Sequence, residues 1–170
     1  MPGSADRPLL FLDVDGPLVP FGAPGPHPGE RPGGRRASQP LPPGSNPLLA
    51  RIDPRHGPRL SALPCDLVWA TTWMADANEV IGPLLGLPEL PVVHWPDSEE
   101  EGGALHWKTR GLIEWAAGRP FVWVDDEITD ADRVWVSEHH HGQALLHRVD
   151  HRRGLTSADF AVIADWLARL

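Results

Sequence analysis

Two aspartates one residue apart, Asp13 and Asp15, follow an apolar run in the stretch PLLFLDVDGPLV, Pro8 to Val19. Like charges held together are unfavourable unless a cation shares them, so a carboxylate pair of this kind points to a divalent metal. Polar residues close two further apolar runs: Thr71 and Thr72 after CDLVWA, and Asp125 and Asp126 after FVWV. Lys108 is the only lysine in a chain whose other basic residues are arginines. It falls in the first turn of a predicted helix, where a cation opposes the helix dipole and wants a nearby anion.

Apolar periodicity supplies the elements that must carry these residues. Leu9 to Leu12, ended by the turn signal Gly16, predicts a buried strand. Alternation of side chains along it would point Asp13 and Asp15 the same way. Cys65 to Ala70, Pro91 to Trp95, Phe121 to Val124 and Ala144 to Val149 predict four more strands. Met74 to Leu85 before Gly86, Trp107 to Ala117 before Gly118, Thr129 to His141 before Gly142, and Ser157 to Leu170 predict helices. Leu48 to Ile52 reads as a short strand or a helix start, and Pro58 to Leu63 as a helical turn or two. Strands alternating with helices predict an α/β chain: a three-layer α/β/α, Rossmann-like parallel sheet. Ligands bind outside the carboxyl ends of such strands, where the three polar groups converge.

Length and composition bound the rest. With 170 residues the chain is expected to form a single domain, residues 1–170, with a Pro/Gly-rich loop insertion at about 22–47. Prolines and glycines, 20 and 17 in number, concentrate in such loops. The single cysteine, Cys65, excludes an internal disulfide framework and agrees with a cytoplasmic location. No secretory leader or membrane-spanning run is visible. A formal net charge of −8 argues against a broad basic face that coats nucleic acid, but admits a small anionic substrate. Abundant Ala, Gly, Pro and Arg, with no Tyr, is a bias expected of a GC-rich bacterial genome.

The order of DxD after the first strand, Thr after a second, Lys at a helix start and DD after a later strand resembles the haloacid dehalogenase (HAD) superfamily of phosphohydrolases. The likeness spans nearly the whole chain. It implies Asp13 as nucleophile, Asp15 as general acid and base, and Mg2+ held by the Asp13 side chain, the Asp15 backbone carbonyl and the pair Asp125 and Asp126. Which of that pair is the direct ligand stays open. The resemblance further implies that one of Thr71 and Thr72, with Thr71 preferred, donates to a phosphoryl oxygen and that Lys108 holds Asp13 and the phosphoryl group together. Gly16, Thr72 and Trp73 are carried as substrate-lining positions, Thr72 also as a helix cap and Trp73 as a ring that stacks on a base or sugar or packs beside the strand end. Hydrolysis of a phosphate monoester asks for these same parts: a nucleophile, a proton for the leaving oxygen, and cations against the phosphoryl charge.

Competing readings accompany the expected Mg2+-dependent phosphatase acting through an aspartyl-phosphate on Asp13. The WATTW and VDDE stretches look most like a small, capless bacterial branch, some of whose members accompany RNA-repair enzymes. An open site of that type suits a large substrate, such as a nucleic-acid phosphate end or a phosphoprotein, or a phosphorylated small molecule closed over by the loop or a partner subunit, and a catalytically idle domain that binds a phosphorylated ligand is the third alternative. Arg31, Arg35 and Arg36 in the loop are candidates for phosphate contact, and Pro17 to Phe21 for a small flap over the aspartates. Asp130 either assists the site or favours a helix start. His139, His140 and His141 read as a solvated helix end in preference to a metal tract.

Overall fold

A computed structural model describes residues 7–22, 46–95 and 105–170. Strands β1 (Leu9–Leu12), β2 (Asp66–Trp69), β3 (Phe121–Asp125) and β4 (Ala144–Arg148) form one parallel sheet in the order β2-β1-β3-β4. The two central strands are buried on both faces, as a parallel sheet covered by helices requires. Register pairs Leu12 with both Trp69 and Val124. The carboxyl ends of the three strands therefore lie level, and the next residues, Asp13, Ala70 and Asp125, stand side by side.

Alternation along the strands divides the core in two. Leu10, Leu12, Val122 and Val124 face α1 (His56–Ser61), α2 (Gly82–Leu85) and α5 (Ser157–Ala168) through Leu60, Leu85, Phe160 and Ile163. Leu9, Phe11, Phe121 and Trp123 face α3 (Thr109–Ala116) and α4 (Asp130–His139) through Leu112, Ala116 and Val136. The predicted three-layer α/β/α architecture is the observed one. Among the described residues no cap domain covers the carboxyl edge of the sheet. Most of the 22–47 loop, with Arg31, Arg35 and Arg36, and most of the polar stretch after Trp95 lie outside the described residues.

Several local expectations change. Pro91 to Trp95 is not a strand: Val92 alone bridges Trp69, held by Trp69 N–H to Pro91 O and Val93 N–H to Trp69 O, each 2.9 Å. Pro91 has no N–H to extend the ladder. Pro47–Arg51 is a 3-10 turn capped by Asn46, which resolves the Leu48 to Ile52 ambiguity. The predicted helix from Met74 starts later, with a π-helical turn at Ala77–Ile81 that runs into α2. Pro83 lacks an N–H and crowds the carbonyl four residues back, which accounts for the widened turn. Gly86 ends α2 at φ 69°.

Pro17 to Pro20 are buried, and Leu18 and Val19 N–H both donate to Val14 O at 3.0 Å, so this segment is a turn packed into the core and not a flap. The histidine run is only partly solvated. His139 stacks on Trp135 at 4.1 Å, whereas His140 is buried, with Nε2 3.0 Å from Arg119 O and its ring edge-on to Phe121. The chain turns inward where α4 ends at His139, and that return buries the second histidine.

Candidate functional site

The site grows from the level strand ends. Asp13 leaves β1 as its N–H donates to Val124 O at 3.1 Å, which sets its side chain beside Asp125, the last residue of β3. Asp13, Asp125 and Asp126 are all buried and present carboxylate oxygens within 4.8 Å of one another. Lys108, at the N-cap of α3, enters from the helical layer. Its Nζ lies 3.1 Å from Asp13 Oδ1 and 2.8 Å from Asp125 Oδ2, which supplies the anions its position demands.

Asp125 is well supplied with donors. Oδ2 accepts from Lys108 Nζ and from Trp123 Nε1 at 3.3 Å, and Oδ1 accepts from Glu127 N–H at 3.0 Å. Asp126 sits against Gly16. Gly16 has φ 101°, and a Cβ built there would lie 2.7 Å from Asp126 Cγ, so glycine is needed both for the turn and for the approach. The structure thus places Gly16 behind a carboxylate.

One ammonium does not balance three buried carboxylates. Burial pushes Asp13 up to about 8, with Lys108 pulling it down and Asp125 adding to the rise. Burial and the neighbouring Asp125 push Asp126 up to about 6. For Lys108 burial opposes the charge, but Asp13 and Asp125 outweigh it and its pKa rises. An all-oxygen donor set with excess negative charge fits a hard divalent cation such as Mg2+.

Asp15 does not share this pocket. β1 ends at Leu12, after which Gly16 N–H returns to Val19 O and Asp15 bridges Val19, so pleated-strand alternation no longer governs residues 13 and 15. Asp15 is exposed, and its Oδ2 accepts from Trp73 Nε1 at 3.2 Å. Trp73 therefore packs beside the strand end and also tethers the second aspartate.

Thr71 is fully buried and its Oγ1 accepts from Trp73 N–H at 3.2 Å. A hydroxyl that accepts in this way keeps its own proton to donate. Thr72 is exposed and caps no helix, because the helical stretch begins at Ala77 with Asp76 before it. Asp130 is exposed and paired with Arg133 at 3.0 Å on the helix surface.

The buried residue of that turn is Asp132, which is not among the candidates named from sequence. Its Oδ1 accepts from His106 N–H at 2.8 Å and Thr109 Oγ1 at 2.7 Å, and its Oδ2 accepts from Thr129 N–H at 2.9 Å and Thr129 Oγ1 at 2.8 Å. It ties the start of α3, and hence Lys108, to the start of α4. The spacing Thr-x-x-Asp before an amphipathic run was the available signal. His106 and Trp107 are likewise not among those candidates. His106 Nδ1 accepts from Lys108 N–H at 3.1 Å, which leaves Nε2 to donate to Glu127 Oε2 at 3.0 Å. His106, Asp125 and Glu127 form a second group of possible metal ligands, but this pairing already occupies both nitrogens.

A parallel α/β/α sheet with acidic side chains at the carboxyl ends of its central strands is a Rossmann-like fold of the HAD kind. A family model described as the HAD domain in Swiss Army Knife RNA repair proteins matches residues 9–160, and the chain belongs to that family. The match runs from β1 into α5 and includes every site residue named above. Comparison with curated proteins and with solved structures gives no match. No helix among the described residues is long and apolar enough to cross a membrane.

Proposed function

We propose that this chain is a Mg2+-dependent phosphohydrolase that cleaves a phosphate monoester through an aspartyl-phosphate on Asp13. The observation that carries the reading is the Lys108 ammonium set between Asp13 and Asp125, with Asp126 in the same carboxylate group. Membership of the HAD superfamily supports it.

Asp13 attacks the phosphorus in line and the bond to the ester oxygen breaks. Asp15, exposed at the mouth, gives the leaving oxygen its proton. Asp15 then takes a proton from water, which attacks the phosphorus, releases phosphate and regenerates Asp13. Lys108 and the Thr71 hydroxyl hold phosphoryl oxygens. Asp13, Asp126 and the Asp15 backbone carbonyl would hold the metal, with Asp126 preferred as direct ligand because Asp125 already serves Lys108, Trp123 and Glu127. Bound Mg2+ would keep Asp13 ionised and offset charge on the phosphoryl group.

The test is phosphate release from p-nitrophenyl phosphate with and without Mg2+, by wild type and Asp13→Asn. Metal-dependent release by the wild type alone is expected. Equal rates from the two proteins would overturn the reading, and no turnover across a broad phosphate panel would favour an idle phospho-ligand domain. The family description, with its RNA repair proteins, favours a nucleic-acid phosphate end as a second reading of the substrate.

A further inference from the structure

Trp107 is 51% exposed, the most open Trp or Phe among the described residues. Its ring centre lies 5.4 Å from Lys108 Nζ, the ammonium that stands 3.1 Å from Asp13. A single ammonium thus separates an open indole from the proposed nucleophile. Leaving such a ring in water forgoes the burial that usually justifies a tryptophan.

The ring is also held in place. Trp95 meets it edge-on at 5.0 Å and 80°, while Trp95 Nε1 donates to Thr71 O at 3.2 Å. Trp95 lies against Gly111 of α3, where a Cβ would come within 3.1 Å of its ring. His106 stacks on Trp107 at 5.5 Å and 27°, and is itself pinned by Lys108 N–H and Glu127. Two fixed rings orient Trp107, and its exposure leaves area for a third.

We infer that Trp107, braced by Trp95 and His106, is a stacking platform for the nucleobase of the substrate, so that the phosphate monoester cleaved at Asp13 is a nucleotide phosphate. This rests on the phosphohydrolase reading of the same site. Every base offers a π-face, and aromatic stacking beside a cationic group is how bases are gripped without regard to sequence. The offset of the indole from Asp13 by the Lys108 head calls for a spacer between phosphate and ring. A nucleotide has one in its sugar, whereas phosphotyrosine carries its phosphate directly on the ring.

Two measurements test this. Wild type and Trp107→Ala are compared for kcat/KM on phosphate-ended oligoribonucleotides, free nucleotides, a phosphotyrosine peptide and glycerol phosphate. The ratio of nucleotide to glycerol phosphate is expected to fall roughly ten-fold, mainly through KM, and Trp107→Phe to recover most of it. Binding of the same labelled oligonucleotides to Asp13→Asn, with and without Trp107→Ala, is read by fluorescence anisotropy.

A fall on either oligonucleotides or free nucleotides supports the platform and tells which form is taken. An unchanged ratio, or a fall confined to the phosphotyrosine peptide, overturns it. Glycerol phosphate turnover with no nucleotide bound or hydrolysed overturns the platform and leaves the hydrolase reading standing. Oligonucleotide binding that is lost with Trp107→Ala, in a protein that hydrolyses nothing, supports the platform and defeats the hydrolase.

Discussion

Gly16 and Asp126 touch: the backbone of one lies so close to the carboxyl group of the other that a Cβ on Gly16 would sit 2.7 Å from Asp126 Cγ. Gly16→Ala meets this contact and a φ of 101° together. The cost is expected at about 2–4 kcal/mol. It should appear as a fall in Tm of roughly 5–15 °C for a chain of this size, with the proposed phosphatase activity lost as Asp126 is displaced.

Lys108→Met leaves Asp13 and Asp125 buried without their shared cation. Removing one partner from a buried ion pair costs about 3–5 kcal/mol, so thermal melts in EDTA should show a large loss. Activity should drop by about 100-fold or more. Lys108→Arg should rescue little, since a planar guanidinium does not reproduce a compact ammonium between two carboxylates.

Asp126→Asn and Asp125→Asn should differ in their response to metal. If Asp126 is the direct ligand, Mg2+ at 100 times its Kd stabilises wild type by about 2.7 kcal/mol. That rise in Tm should vanish in Asp126→Asn. Asp125→Asn should start from a lower Tm, because Lys108 loses a partner, and still respond to Mg2+. Differential scanning fluorimetry across a Mg2+ titration reads both.

Asp132→Asn turns a carboxylate that accepts four hydrogen bonds into a group that must donate at one end. A donor set against donors in a buried position should cost about 2–4 kcal/mol. Thr129→Ala, which removes only the cap hydroxyl, should cost about 1 kcal/mol. Because Asp132 also fixes the His106 N–H just before Lys108, its variant should lose activity about ten-fold beyond what the melting curve explains.

Asp159 gives a pH test. Burial works against its charge, but the 2.8 Å contact with His147 Nε2 and the Thr156 cap outweigh it and hold the carboxyl below its usual range. A depressed carboxylate pKa contributes stability that is present above the unfolded value, about 3.9, and is lost as pH falls through the folded one. The Tm gap between wild type and Asp159→Asn should therefore be full at pH 5–7 and close on acidification below about pH 4.

Strands β1 and β3 and the carboxylates at their ends were determined by sequence alone. A strand buried on both faces of a parallel sheet needs a short continuous apolar run, and LLFL and FVWV are such runs with Asp directly after them. Lys108 was legible for a related reason: a cation at a helix start demands an anion, and two are there. Strand order and register are long-range matters, and tertiary structure decided them. Leu12 beside Val124 brings residues over a hundred positions apart into one pocket. The turn after Leu12 sends Asp15 to Trp73 while Asp126 takes the place beside Asp13, because alternation holds only while the chain stays pleated. Burial of His140 and exposure of Trp107 depend likewise on which segments pack against them, and no local pattern of residue types encodes that.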